Sequence, residues 1–256
     1  MNLDLTRFSE LIRCLSVFKD LCNDVDIRAG FIRQKTNDGA VVFEIDLTPV
    51  IGDLNIPISN IKEKLELFKT FLGQNVVIDN DSENYTFSDT YSSIKFKNPD
   101  LDFIDNKFIT RADLESVIST NNEDMMLSAS LISTITDRIR IITQGFHVNN
   151  VQVAFSGSEA AITSITQSKD QFANFISGIQ SEQEINCGVN LTATPFIIDH
   201  DSDILFEMFK NGEDRSLSRL STTISDINIT MYTRAQLLFE EAEDETAPTD
   251  TEEGES

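Results

Sequence analysis

Tryptophan is absent from the chain, and histidine occurs only as His147 and His200. Two imidazoles leave no room for a HExxH zinc site, and a His-dependent nucleophilic triad is nearly excluded. Cysteine is scarce as well: Cys14, Cys22 and Cys187 form no CxxC and leave an odd one over. Neither a disulfide framework nor a zinc cluster is built that way, so the three read as buried thiols in a reducing compartment. No GxxxxGK[ST], GxGxxG or GxSxG is present, which removes the common phosphate cradles and the nucleophile elbow. The run Asp199-His200-Asp201-Ser202-Asp203 superficially resembles a calcium loop, but it lacks the central glycine and places Lys210 where a bidentate Glu is needed. A turn leading to a helix N-cap at Ser202 is the better reading. Carboxylates are so abundant that any acid–base pair chosen among them would be arbitrary. The expectation is a protein that is not an enzyme and holds no cofactor and no metal.

Long apolar runs are missing too. The first residues, MNLDLTRFSELIR, carry charge throughout and show no signal-peptide core, and no later stretch suits a bilayer span. The expectation is a soluble, cytoplasmic chain with no membrane partner, in which the sequons at Asn84, Asn190 and Asn228 are chance matches. Bases are outnumbered, 20 Lys and Arg against 43 Asp and Glu, for a net charge of −23. That argues against an open nucleic-acid surface, because non-specific phosphate binding draws on clustered Lys and Arg. Any DNA contact must be local. Nine of the acids fall in residues 240–256, EEAEDETAPTDTEEGES, which contain no base and almost nothing to bury. This segment is expected to be a disordered, solubilising tail.

What is present is a core. Ile, Leu, Val and 18 Phe carry the apolar weight, and 256 residues suffice for two modules of ordinary size. Residues 6–22 place Phe8, Leu11, Ile12, Leu15, Phe18 and Cys22 on one face at helical spacing. VDIRAG, FIRQKT and AVVFEIDL, with Asn37-Asp38-Gly39 as a turn, read as an antiparallel meander. Residues 60–72 repeat the helical pattern with Ile61, Leu65, Phe68 and Leu72, opened by Ser59 or Asn60 and ended by Gly73. NVVIDND, NYTFSDT and SSIKFKN follow as three short strands.

Residues 100–122 are acidic with Phe103, Ile104, Phe108 and Ile109 interspersed, and hold a short helix opened by Thr110. Beyond this connector the order recurs. A strand is expected at 125–128, a helix at 130–144, strands at VQVAF and AAITSI, a polar insertion around 168–183, strands at EINCGVNLT and PFII, a helix at 203–211, and two final strands. The predicted organisation is a first module at 1–99, a connector at 100–124, a second module at 125–239 and the tail at 240–256. The fold class is α+β, each module packing two helices on an antiparallel sheet.

The run from DIRAGFIRQKTNDGAVVFEIDL through NIKEKLELFKTFLGQNVVIDNDSENYTFSDTYSSIKFKN resembles the two-module, PCNA-like DNA polymerase sliding clamps of tailed phages in the order and spacing of its elements. The second half matches in order of elements alone. The resemblance implies a DNA clamp fold and a processivity factor for DNA replication, a homotrimeric ring that encircles double-stranded DNA without reading its sequence. Its partners would be the replicative DNA polymerase and a clamp loader. Helices would line the hole, with Arg7, Arg13, Lys62, Lys69, Arg138, Arg140 and Lys210 facing DNA, although Glu10, Asp20, Glu66, Asp137 and Glu207 on the same faces keep that lining only mildly basic.

A partner groove beneath the connector would draw on Phe103, Ile104, Phe108 and Ile109 with Leu237, Leu238 and Phe239. The subunit interface would pair residues 92–97, including Ile94 and Phe96, with residues 184–192, including Ile185 and Val189, of the next copy. Two rival readings account for the missing motifs: a viral structural or assembly protein built from antiparallel sheets, and a hydrolase using carboxylates alone.

Overall fold

In the computed structural model the described residues are 1–118, 122–131, 150–156, 159–165, 171–177, 185–190, 204–210 and 215–237. The chain opens with a short strand, β1 (Asn2–Leu3), and the helix α1 (Leu5–Ser16). Asp4 starts the helix by accepting the backbone N–H of Arg7 at 2.9 Å, the N-cap geometry that satisfies an otherwise orphaned donor. The apolar face of α1 buries Phe8, Leu11, Ile12 and Leu15, and a 3-10 turn, Val17–Asp20, carries Phe18 into the core behind it.

The meander follows as β2 (Val25–Arg28), β3 (Phe31–Lys35) and β4 (Val41–Asp46). Alternation in β4 is strict: Val41, Phe43 and Ile45 are buried, with Val42, Glu44 and Asp46 between them more exposed. At the β2–β3 turn Gly30 has φ +76, and a Cβ there would lie 2.0 Å from the carbonyl oxygen of Gly52, so no other residue fits. A one-turn helix α2 (Thr48–Ile51) and strand β5 (Ile56–Ile58) lead to α3 (Ile61–Phe68), which buries Ile61, Leu65 and Phe68. Asn60 opens α3 in the left-handed conformation, with φ 49, and caps no backbone donor through its side chain.

Strands β6 (Val76–Asn80), β7 (Asn84–Ser88) and β8 (Ser93–Lys97) join β1 in a four-stranded sheet of order β1-β6-β7-β8. The helices span this sheet and the meander. Phe68 stacks on Phe87 of β7 at 4.5 Å and meets Phe96 of β8 edge-on at 5.5 Å, while Phe18 meets Phe43 of β4 at 5.3 Å. Rings in these geometries add about 0.5–1.5 kcal/mol each beyond their buried area. The thiols of Cys14 and Cys22 are buried beneath the same layer, and burial pushes them up to about 12 and about 11.

After the connector come β9 (Met125–Leu131), β10 (Asn150–Ser156), β11 (Glu159–Ile165), β12 (Gln171–Ser177), β13 (Ile185–Asn190), β14 (Ile204–Lys210), β15 (Arg215–Ile224) and β16 (Ile227–Leu237). They share one large sheet with the meander. Its path is β12-β11-β10-β13-β16-β4-β3-β2-β5, with β15, β14 and β9 branching from β16. β16 pairs with β4 over Asn228↔Asp46 to Thr233↔Val41, so the end of the described chain is built into the sheet of its beginning.

Three sequence expectations change here. Residues 204–210 form a strand, not a helix. ILFEMFK allows either period, but β14 is held in register between β15 and β9, and Glu207 is buried against Arg219 of β15 at 2.7 Å. Cross-strand pairing overrides the helix preference of Leu, Glu and Met. The supposed polar insertion contains β12, whose apolar residues Phe172, Ala173, Phe175 and Ile176 follow no period of two. Finally, β9 runs on to Leu131, and the rest of the helix expected at 130–144 lies outside the described residues.

The connector is pinned to the first module by buried polar groups. The carboxylate of Asp24 accepts the backbone N–H of Asn60 at 2.9 Å and that of Asp105 at 2.8 Å. The side chain of Asn106 accepts from the backbone N–H of Asn23 at 3.0 Å and of Asp24 at 3.3 Å, and donates to the carbonyl of Lys35 at 2.9 Å. Asp24 is 5% exposed and Asn106 7%, so a lost partner is not replaced freely by water. Asn106→Ala removes all three of these hydrogen bonds at once, and we expect it to cost about 2 kcal/mol. The measurement is urea unfolding: the midpoint should fall with the slope unchanged, and an unchanged midpoint would remove the anchoring role.

Candidate functional site

A cleft of about 890 Å³ lies between the connector and the β3–β4 turn. One wall is the turn itself, Thr36 to Gly39. There Asp38 accepts from Thr36 Oγ1 at 2.5 Å and from the backbone N–H of Ala40 at 3.0 Å, and these bonds hold its carboxyl below the usual carboxylate range. The opposite wall is the connector from Asp105 to Ile109, continued by helix α4 (Arg111–Val117). Thr110 opens α4 by accepting the backbone N–H of Asp113 at 3.1 Å, and the helix turns Leu114 and then Ile118 inward onto Leu217 and Tyr232. Val42, Phe108, Ile109, Leu114 and Ile118 make the cleft largely apolar. Burial raises the phenol of Tyr232 above its ordinary value.

The connector cannot swing freely over this cleft. The backbone N–H of Ile109 donates to the carbonyl of Arg33 at 2.7 Å. The Phe108 ring lies under the guanidinium of Arg28 at 5.3 Å and that of Arg33 at 5.9 Å, cation–π contacts that fix its orientation. Glu44 ties two of these parts together, accepting from Arg33 at 2.6 Å and from Arg111 at 2.9 Å. An apolar floor between two anchored polar rims suits a short peptide with hydrophobic anchors.

Of the residues expected to form a groove, Phe108 and Ile109 line the cleft. Phe103 does not: it is 82% exposed and stands away from it. Ile104 is buried beneath the chain and does not line it either. Leu237 ends β16, and Leu238 and Phe239 lie outside the described residues. Val42, Leu114 and Ile118 were missed by sequence reasoning, although the spacing of Leu114 and Ile118 behind Thr110 was there to be read.

The charged helix residues sort similarly. Arg7 and Arg13 are exposed on α1, Lys62 is exposed on α3, and Lys69 follows α3 partly exposed. Lys62 Nζ lies 3.5 Å from Asp20 and Lys69 Nζ 2.6 Å from Glu66, so acids dilute the positive charge of this surface. Lys210 is exposed on β14, which removes the helical reasoning that grouped it with the others. Arg138 and Arg140 lie outside the described residues.

The sheet edges also differ from expectation. Ile94 and Phe96 sit on β8, the last strand of the four-stranded sheet. Ile185 and Val189 do not sit on an edge, because β13 is paired with β10 on one side and with β16 on the other. Among the described strands the large sheet ends instead at β12, β5 and β9, which pair only with β11, β2 and β14.

No protein-family model and no curated protein sequence matches the chain. Solved structures do. The proliferating cellular nuclear antigen of Entamoeba histolytica is 10% identical, with a TM-score of 0.66 over 93% of this chain and 98% of that one. A chain of the PCNA2–PCNA3 complex from Sulfolobus tokodaii is 12% identical, with a TM-score of 0.62 over 92% of this chain and 99% of that one. At such low identity the likeness is one of backbone architecture, and it runs almost the full length of both chains. The chain has the DNA clamp fold of the PCNA sliding clamps.

Proposed function

We propose that the protein is a sliding clamp: a non-enzymatic ring that encircles duplex DNA and tethers the replicative polymerase for processive synthesis. The observation that carries the reading is the near end-to-end match to a clamp fold, 93% of this chain against 98% of the other, because a fold retained over both halves retains the geometry of a ring segment. The organisation we propose is a first module at 1–99, a connector at 100–124, a second module at 125–239 and an acidic tail. Three copies then supply six modules, and a head-to-tail interface of this kind closes by rotation. A clamp loader is the expected partner for opening the ring around DNA, and the cleft under the connector is the proposed seat for the polymerase's peptide.

The interface we propose joins β8 of one copy to β12 of the next. In the β7–β8 hairpin the bonds Asp89 N–H to Ser92 O and Asn98 N–H to Glu83 O bracket the ladder. Alternation of bonded pairs in an antiparallel ladder then directs the N–H groups of Ile94 and Phe96 toward β7 and those of Ser93, Lys95 and Lys97 outward. Lys95→Pro removes an outward donor and spares the hairpin, since proline is tolerated on the free side of an edge strand. Sedimentation should give trimers for the native chain and monomers for Lys95→Pro. A trimer that survives the substitution counts against this interface, and open or larger assemblies of the native chain count against the ring.

The DNA-facing surface we propose is the exposed side of α1 and α3. Replacing Arg13, Lys62 and Lys69 with Ala should change stability by no more than roughly 0.5 kcal/mol for each exposed site. Extension of a primer on a circular template with the cognate polymerase should nevertheless become shorter. Each lost phosphate contact also removes about 0.9 from the slope of log affinity against log salt, so the salt dependence should flatten. Equal product lengths and equal slopes would remove these helices from the DNA surface, and no stimulation by the native chain would overturn the clamp reading.

A further inference from the structure

Helix α3 does not cap itself. Its N-cap, Asn60, stands in the left-handed region at φ 49, and the Asn60 side chain caps no backbone donor. A residue other than glycine persists in that region only where its surroundings hold it there. The surroundings are residues 23 and 24. The carboxylate of Asp24 accepts the Asn60 N–H at 2.9 Å, and the carbonyl of Asn23 accepts the Ile61 N–H at 2.9 Å. Donors that a helix start leaves orphaned are thus satisfied from outside the helix. The Asn60 carbonyl in turn accepts from the Glu63 N–H at 3.1 Å and the Lys64 N–H at 3.2 Å, so rotation of Asn60 out of its left-handed well breaks the first turn of α3 as a unit.

The same two residues hold the connector. Asp24 Oδ2 accepts the Asp105 N–H at 2.8 Å, Asn23 Nδ2 donates to the Asp105 carboxylate at 3.0 Å, and the backbone N–H groups of Asn23 and Asp24 both go to Asn106 Oδ1. Gln34, fully buried, fixes the pivot by donating to the Asp24 carbonyl at 2.9 Å and accepting the Asp26 N–H at 3.1 Å. Farther along, the connector has a second hold: Ile109 N–H on the Arg33 carbonyl, Phe108 beneath Arg28 and Arg33, and Arg111 on Glu44. Those contacts are with β2, β3 and β4, not with α3.

We propose that the Asn23-Asp24 pair is a latch coupling the connector to α3: release of residues 105–106 loosens the first turn of the helix, and unwinding of that turn frees the connector. One carboxylate, buried to 5% exposure, serves both segments. When Asp105 leaves, water reaches Asp24 Oδ2, and the low dielectric that strengthens its bond to Asn60 is lost. The left-handed conformation of Asn60 is then no longer imposed. With eight residues and no side-chain cap, α3 has a length at which a helix depends on its tertiary contacts. The two-state element is the turn at Asn60, and both segments bias it. α3 carries Lys62 and is continued by Lys69, so under the clamp reading a molecule that shifts the connector alters the DNA-facing surface without touching DNA. The latch itself does not depend on that reading.

Native-state hydrogen exchange on the full-length chain tests the coupling, with the amides of β3 and β4 reporting global unfolding. Asn106→Ala should speed exchange at Asp105 and, by the same factor, at Asn60, Ile61, Glu63 and Lys64, on the order of tenfold beyond any change in the β3 and β4 amides. Arg111→Ala loosens the connector at its other hold and should leave the α3 amides within about twofold of the native chain. Coupling is reciprocal. Asn60→Ala, which disfavours the left-handed conformation, should therefore speed exchange at Asp105 although the connector sequence is unaltered. An α3 response to Asn106→Ala no larger than that of β3 and β4, or one shared by Arg111→Ala, would overturn the latch. So would an Asp105 amide indifferent to Asn60→Ala, a result that decides the matter even where Asn106→Ala fails to fold. None of these readouts involves DNA or ring closure, so the latch can fail while the clamp reading stands, and the reverse.

Discussion

The ladder between β4 and β16 is the constraint on which the other features of the molecule depend. It joins Val41–Asp46 to residues from the far end of the described chain through six cross-strand pairs. Without it the meander would end in an open edge and the branch of β15, β14 and β9 would have no attachment to the first module. The continuity is apolar as well as hydrogen-bonded. Ile204, Phe206, Met208, Leu220, Ile229 and Met231 belong to the same buried cluster as Phe8, Phe43, Phe68 and Phe87. A seam of that kind resembles an interior more than a domain interface, and relative motion of the two parts would disrupt core packing.

The cleft inherits its rigidity from this seam. Val42 stands on β4 opposite Tyr232 of β16, and Tyr232 in turn packs against Leu114 and Ile118 of the connector. The polar side of the connector is fixed by Asp24 and Asn106, and its charged side by Glu44 between Arg33 and Arg111. Three independent attachments hold one surface segment. Little ordering of this segment would remain to be done on binding in the cleft.

Much of the first half could be read from residues alone. The spacing of Phe8, Leu11, Ile12 and Leu15, the alternation of Val41, Phe43 and Ile45, and the turn chemistry of Asn37-Asp38-Gly39 each point to one local structure, and the structure has it. The second half was harder for a physical reason. ILFEMFK carries apolar residues at positions compatible with both periods, and only its neighbours β9 and β15 decide that it is a strand. The sequence of β12, QFANFIS, carries no period-two pattern to read. The cleft was half legible: Phe108 and Ile109 stood out as apolar residues in an acidic stretch, but so did Phe103, which the chain leaves exposed. Val42 could not be assigned, since a strand residue lines a cleft only through what packs above it.

Because β16 pairs with β4, the order of synthesis matters. During translation β2, β3 and β4 emerge long before the strand that completes their sheet, so the N-terminal half waits with the backbone of β4 open to any extended chain nearby. Long-range pairing of this kind forms slowly, and unpaired strand edges favour aggregation. A nascent chain with this topology therefore spends much of its time on the ribosome as an incomplete sheet. Its yield in a cell should respond to translation speed and chaperone supply more than the stability of the finished protein would suggest.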